Sequence, residues 1–232
     1  MERFPSAAAL VAAKMPERPV LASRPHAAAR AARWFLQNFP GDVAYAYKAN
    51  SSVFMIGALY PGMTPAPLSS FMNAIREGVE KLPVREDVRL MCEPGRALVA
   101  EAESVIVRVE ARRGNDLFIN DGGYGVLFDA AHLNWVFPAQ IVSRVPAKGE
   151  GMDDFALWGP TCDSIDYMKG PFRLPSATKE GDYIEIGNVG AYGRAIAGDF
   201  NGYGKYDEVI LEDEPMLSLY GTGQISRAAG QR

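Results

Sequence analysis

The sequence predicts an α/β segment followed by a β-domain, and three observations carry that reading. Up to about residue 97, helical and strand patterns alternate as they do in βα units. Within that part, residues 67–82 place Leu68, Phe71, Met72, Ile75, Val79 and Leu82 three and four apart, one apolar helix face that Pro83 ends. Beyond it come short apolar runs divided by Gly and Pro turns, the signature of an antiparallel β-domain. The expected division is therefore 1–97 and 98–232.

The elements follow in order. Residues 6–14 form an alanine-rich helix, and Lys14 directly after the apolar run marks it as a helix rather than a secretory signal. Residues 18–22 read as a strand, and 26–38 as a second helix that stops before Pro40-Gly41. In 42–50, Val43, Tyr45 and Tyr47 alternate with small alanines, a buried strand ending in Lys48. Residues 87–92 form another buried strand leading into Glu93-Pro94-Gly95-Arg96. A long strand over 104–111 opens the second half. Short strands are predicted at 116–120, 135–142, 154–158, 182–187, 190–199, 206–211 and 216–220, with a frayed end from 221 to 232.

Composition narrows the class of function. At 232 residues the chain holds one large domain or two small ones. With 48% apolar and 22% charged residues it is an ordinary soluble globular chain. A net charge of −4 argues against nucleic acid or an anionic membrane as the main partner. No apolar run approaches the roughly 20 residues of a membrane span. Two cysteines, Cys92 and Cys162, make no disulfide framework, so a cytoplasmic setting is the simplest. With only His26 and His132, no histidine-rich metal site is expected.

Four local patterns could carry chemistry. Lys48 ends its strand on the side where α/β folds reach their ligands, and a lysine amine drawn out of water can condense with an aldehyde. The plainer reading is a surface lysine closing a strand. Glu93 and Arg96 flank a Pro-Gly turn and could form no more than a surface ion pair. Trp158-Gly159-Pro160-Thr161-Cys162-Asp163-Ser164-Ile165-Asp166 sets a thiol among carboxylates, or else Cys162 is a small buried hydrophobe. Gly187 to Gly193 is a Gly-rich turn whose Tyr192 could equally fill a core.

The combination is more specific than its parts. Tyr-Ala-Tyr-Lys-Ala-Asn (45–50), Cys-Glu-Pro-Gly-Arg (92–96), Gly-Pro-Thr-Cys-Asp-Ser-Ile-Asp (159–166) and Gly-Ala-Tyr (190–192) occur in this order. Asn120-Asp121-Gly122, Phe128-Asp129 and Phe200-Asn201-Gly202 add to them. In these motifs the chain resembles the fold-type III, alanine-racemase-like decarboxylases that depend on pyridoxal 5′-phosphate, most of all the bacterial ornithine/lysine decarboxylases. The resemblance implies a (β/α)8 barrel followed by a C-terminal β-domain, a homodimer with a shared site, and conversion of ornithine or lysine to a diamine such as putrescine in polyamine biosynthesis. It implies that Lys48 holds the cofactor through its amine and that Glu93 faces the pyridine nitrogen. Arg96 and Tyr192 would hold the phosphate, for which a guanidinium fork and a hydroxyl are suited. Asp129 and Asp163 would bind the distal ammonium of the substrate, and Cys162 would return a proton to the substrate carbon from across the dimer.

The pattern also departs from the family. A (β/α)8 barrel takes about 250 residues, whereas only 44 separate Lys48 from Glu93. The Gly-Gly-Gly phosphate loop and the histidine that stacks on the cofactor ring have no counterpart here. Tyr47 stands where the family has valine. The expected fold is thus a truncated barrel remnant, with an internal deletion near Leu59–Tyr60, and slow decarboxylation is the expected consequence. The alternative class is a catalytically silent relative that dimerises or binds a regulator.

Overall fold

The computed structural model describes residues 1–44, 66–83, 85 and 87–220. Lys48, the rest of its predicted strand beyond Ala44, the deletion point near Leu59–Tyr60 and the segment 221–232 lie outside the described residues.

Eleven strands and six α-helices are described. Strand β1 (Glu2–Phe4) leads to helix α1 (Ala7–Lys14), whose N-terminus is capped by Ser6 Oγ accepting from Ala9 N at 3.2 Å. Strand β2 (Val20–Ser23) is followed by helix α2 (Pro25–Asn38), which starts with proline at a first-turn position where no backbone donor is lost. Strand β3 (Asp42–Val43), helix α3 (Leu68–Glu80) and strand β4 (Met91–Cys92) complete the alternating part. Helix α4 (Arg96–Val99) and a 3-10 turn at Ala100–Ala102 join it to strand β5 (Glu103–Arg113). Then come β6 (Asp116–Ile119), α5 (Phe128–His132), β7 (Ala139–Ile141), β8 (Met152–Trp158), β9 (Tyr167–Pro175), β10 (Tyr183–Ile186), α6 (Gly193–Ile196) and β11 (Asp207–Leu211).

A nine-stranded sheet in the order β1-β11-β2-β5-β6-β8-β9, with β10 and β7 branching from β5, organises these elements. Strand β5 shows why the branch exists. Its first half pairs with β2 on one side and β10 on the other; its second half pairs with β6. Side chains alternate across a strand. Val105, Val107 and Val109 therefore enter one core with Leu117, Phe155 and Ile184, and Ile106 enters another under α1 with Leu10 and Val11. That two-sided burial explains the three consecutive apolar residues Val105-Ile106-Val107. A third cluster joins α2, α3 and α4 through Phe35, Met72 and Leu98.

The sheet is mixed, which corrects the expectation of an antiparallel β-domain: β1/β11, β11/β2 and β6/β8 run parallel. A long connection containing α5 and β7 lets β8 return in the direction of β6. Two strands from before residue 97, β1 and β2, belong to this same sheet. The separate pair β3/β4 is parallel, with Asp42 opposite Met91 and Val43 opposite Cys92.

Other expectations also change. The buried strand over 87–92 reduces to Met91–Cys92 with Met91 exposed, its one described neighbour being β3. Residues 190–199 are not a strand: Tyr192 takes φ 66, which breaks extension and starts α6. Residues 216–220 cross α2 instead, where Tyr220 packs on Trp34 and Phe35 and donates to Ala97 O. Strand β9 was hidden because Gly170-Pro171 interrupts it; these residues sit at an irregularity opposite β8, between Phe155/Phe172 and Leu157/Met168.

Candidate functional site

Three of the site residues read from the sequence converge. Arg96 opens α4 directly after the Glu93-Pro94-Gly95 turn and is 3% exposed. Its Nη2 donates to Asp129 Oδ2 at 2.9 Å, from α5. The guanidinium carbon lies 4.8 Å from the Trp135 ring centroid and 5.0 Å from that of Tyr192. Aromatic faces on a guanidinium add attraction where water is excluded. Arg96 is thus a buried, partnered cation and not half of a surface ion pair with Glu93, which is exposed.

Tyr192 reaches this point because its turn is drawn in against α4. Gly190 N donates to Ala100 O at 3.2 Å, and any Cβ on Gly190 would overlap Val99 O. Only glycine allows that approach. Cys162 and Asp163 stand on a different loop. Cys162 is exposed with φ 61, which corrects the reading of a buried hydrophobe. Asp163 Oδ1 accepts from Ile165 N at 3.0 Å and Oδ2 from Tyr124 Oη at 2.8 Å. The Ile165 amide first, then the Tyr124 hydroxyl, hold its carboxyl below the usual carboxylate range, so it is charged at neutral pH. Tyr124 in turn stacks on Phe200, with centroids 4.5 Å apart.

Asp166 fixes that loop. It is 1% exposed and accepts from Gly123 N at 2.7 Å, Thr161 N at 3.1 Å and Thr161 Oγ1 at 2.6 Å. One buried carboxylate therefore ties the Cys162 loop to the turn that carries Tyr124 and leads on to Asp129. Gly159 packs so closely that a Cβ there would overlap all of the Asp166 carboxylate. Gly159→Ala is expected to cost about 1–3 kcal/mol, read as a lower urea midpoint; an unchanged midpoint would show that the loop gives way freely.

Asp121 sits in the same turn, 4% exposed, with Oδ1 accepting from Tyr206 Oη at 2.9 Å. Burial pushes its carboxyl up to about 7, against the pull of the Tyr206 hydroxyl and backbone amides, and the nearby Asp166 adds to the rise. The folded protein thus holds a proton on Asp121 that the unfolded chain releases from about pH 4 upward. Its contribution to stability is full at low pH and is lost as pH rises through about 7. The stability of the wild type relative to Asp121→Asn is expected to fall between about pH 4 and pH 7. A difference independent of pH would contradict this, and comparison with the variant cancels the other titrating groups.

The sequence reading gave no role to Asp121, Tyr124, Trp135, Asp166 or Phe200. Four of them lay inside or beside the quoted motifs, but only packing assigns them partners. Among the described residues no group of three His, Cys, Asp or Glu side chains could hold a metal ion. No helix among them is long and apolar enough to cross a membrane. For a phosphorylated pyridoxal cofactor the donor set is chemically apt. A guanidinium and a phenol suit a phosphate, and a carboxylate at the end of β4 suits a ring nitrogen.

Comparison with known proteins agrees with this chemistry. Residues 44–190 match the family model described as pyridoxal-dependent decarboxylase, C-terminal sheet domain. The ornithine decarboxylase of Cricetulus griseus is 30% identical over 186 residues, covering 71% of this chain and 40% of that protein. Antizyme inhibitor 2 of Xenopus laevis is 33% identical over 171 residues, covering 64% of this chain and 36% of that protein. A solved lysine/ornithine decarboxylase from Vibrio vulnificus, in complex with putrescine, is 29% identical with a TM-score of 0.53, over 66% of this chain and 41% of that one. The chain spans about 40% of the length of the curated relatives it matches.

Proposed function

The chain belongs to the pyridoxal-dependent decarboxylase family, and from that premise we propose that it removes the carboxyl group of a basic amino acid, ornithine or lysine, to leave a diamine. The observation that supports this reading is the meeting of Arg96, Asp129 and Tyr192, residues far apart in the chain, at one buried ion pair. Bound pyridoxal phosphate supplies an electron sink for the pair released as carbon dioxide departs.

The chain's own residues have these roles. Lys48 holds the cofactor through its amine. Glu93 keeps a proton on the pyridine nitrogen. Arg96 and Tyr192 bind the phosphate, and Asp129 and Asp163 orient the distal ammonium of the substrate. Cys162, exposed on its loop, returns a proton to the substrate carbon, and a homodimer lets this loop serve the site of a second copy.

The test is release of labelled carbon dioxide from carboxyl-labelled ornithine and lysine by purified protein with excess pyridoxal phosphate. Cofactor-dependent release is expected, well below the typical enzymatic rate of about 10 per second, because phosphate positioning rests on few groups and small misplacements are costly. No release above a cofactor-free control would overturn the reading. It would favour a dimerising or regulatory binding protein, the class suggested by the relative named antizyme inhibitor 2.

A further inference from the structure

We propose that residues 213–220 form a strap that sets the backbone from which Arg96 extends, and that Tyr220 is a positioning residue for the cofactor phosphate. This rests on the reading that Arg96 and Tyr192 bind that phosphate, and it adds what fixes the helix behind Arg96.

The strap follows β11 and is held along its length. Asp213 Oδ1 accepts from Arg24 Nε at 3.0 Å, and Glu214 Oε2 accepts from Arg30 Nη1 on α2 at 2.7 Å. Leu219 N donates to Glu101 Oε1 at 2.6 Å, in the 3-10 turn that follows α4. Tyr220 Oη donates to Ala97 O inside α4, while its ring packs on Trp34 and Phe35 of α2. The strap therefore ties α4 to the longer helix α2. It also touches the turn that leads to Tyr192, since any Cβ on Gly187 would meet the Met216 methyl at 2.9 Å.

Helix α4 needs this support. It has four residues, and a helix that short does not hold its shape alone. Its closing bond runs from Ala100 N to Arg96 O, and the Ala97 carbonyl is among those a helix end leaves over. The Tyr220 hydroxyl supplies a donor there. Burial first, and Glu101 beside it, push the Tyr220 phenol above its ordinary range, so it keeps the proton it donates. Asp129 and the Trp135 and Tyr192 rings hold the guanidinium end of Arg96. The strap holds its backbone end. A guanidinium fork meets a phosphate well only over a narrow range of position and angle. A small displacement of α4 is thus felt in affinity for the phosphate and not in affinity for the rest of the cofactor.

Calorimetric titration tests this without turnover. The probes are pyridoxine 5′-phosphate and pyridoxine, the same ring with and without the phosphate, neither having an aldehyde to react with an amine. The wild type is expected to bind the phosphorylated probe more tightly. Tyr220→Phe keeps the ring packing and removes only the bond to Ala97. It should raise the Kd of pyridoxine 5′-phosphate at least about fivefold and change that of pyridoxine by less than about twofold. Its thermal midpoint should stay within about 4 °C of the wild type, as for one lost hydrogen bond. Exchange of the Leu98 and Ala100 amides, which bond to Gly95 O and Arg96 O, should quicken about tenfold, with β5 amides unchanged. General destabilisation would instead weaken both probes alike. Equal change in the two probes, or none in either, would overturn the positioning role alone. Unaltered exchange in α4 would overturn the strap as its route. Wild-type protein that binds both probes equally would overturn the functional reading of Arg96 and Tyr192, and the strap's role with it.

Discussion

Arg24→Ala is expected to lower the stability of the protein by about 3–5 kcal/mol, a large part of what a typical domain possesses. Arg24 is 2% exposed and links four parts of the main sheet. Its Nη2 donates to Glu185 Oε1 at 2.8 Å on β10, its Nη1 to Ser104 Oγ at 2.9 Å on β5, and its Nε to Asp213 Oδ1 at 3.0 Å beyond β11. Glu185, whose side chain is 1% exposed, also accepts from Ser104 Oγ at 2.7 Å and from Gln140 Nε2 at 2.9 Å on β7. Removing the arginine strands a carboxylate beneath the sheet, where it cannot be rehydrated without opening the strands. The thermal midpoint should drop by roughly 10 °C. Adding Glu185→Gln to Arg24→Ala should recover part of the loss, because a neutral amide keeps the Ser104 and Gln140 bonds without an unpaired charge. A single variant within a degree or so of the wild type would show that the network contributes little.

Lys48→Ala is expected to abolish borohydride-fixed attachment of pyridoxal phosphate and to reduce carbon dioxide release by at least about 100-fold. Lys48 closes the motif Tyr45-Ala46-Tyr47-Lys48 and carries the one amine assigned to the cofactor aldehyde. Lys48→Arg separates charge from nucleophilicity: a guanidinium can hold an anion but does not condense with an aldehyde under these conditions. Attachment should be lost in both variants, whereas non-covalent binding of pyridoxine 5′-phosphate should survive through Arg96. Peptide mapping that finds the reduced label on another lysine, with Lys48 unmodified, would show the assignment to be wrong.

Much of the fold was legible in the sequence because its signals are local. The three-and-four spacing of Leu68, Met72 and Ile75 gave α3, and the alanine run before Lys14 gave α1. The valines of 104–111 gave β5, and the order of the motifs gave the family. Strand β9 escaped because Gly170-Pro171 looks like a turn until β8 lies beside it. The parallel pairing of β1, β11 and β2 escaped because β2 and β11 are separated by nearly the whole chain.

By itself, then, the sequence determined the family and which faces are apolar, and it nominated residues for the chemistry. Only the tertiary structure decided whom the charges meet. Arg96 and Asp129 are 33 positions apart, Asp166 and Gly123 are 43, and Arg24 and Glu185 are 161. No periodicity links such pairs. Each partner is selected because a charge taken out of water is tolerable only where the packed chain delivers a counter-charge or a ring of donors within hydrogen-bond reach.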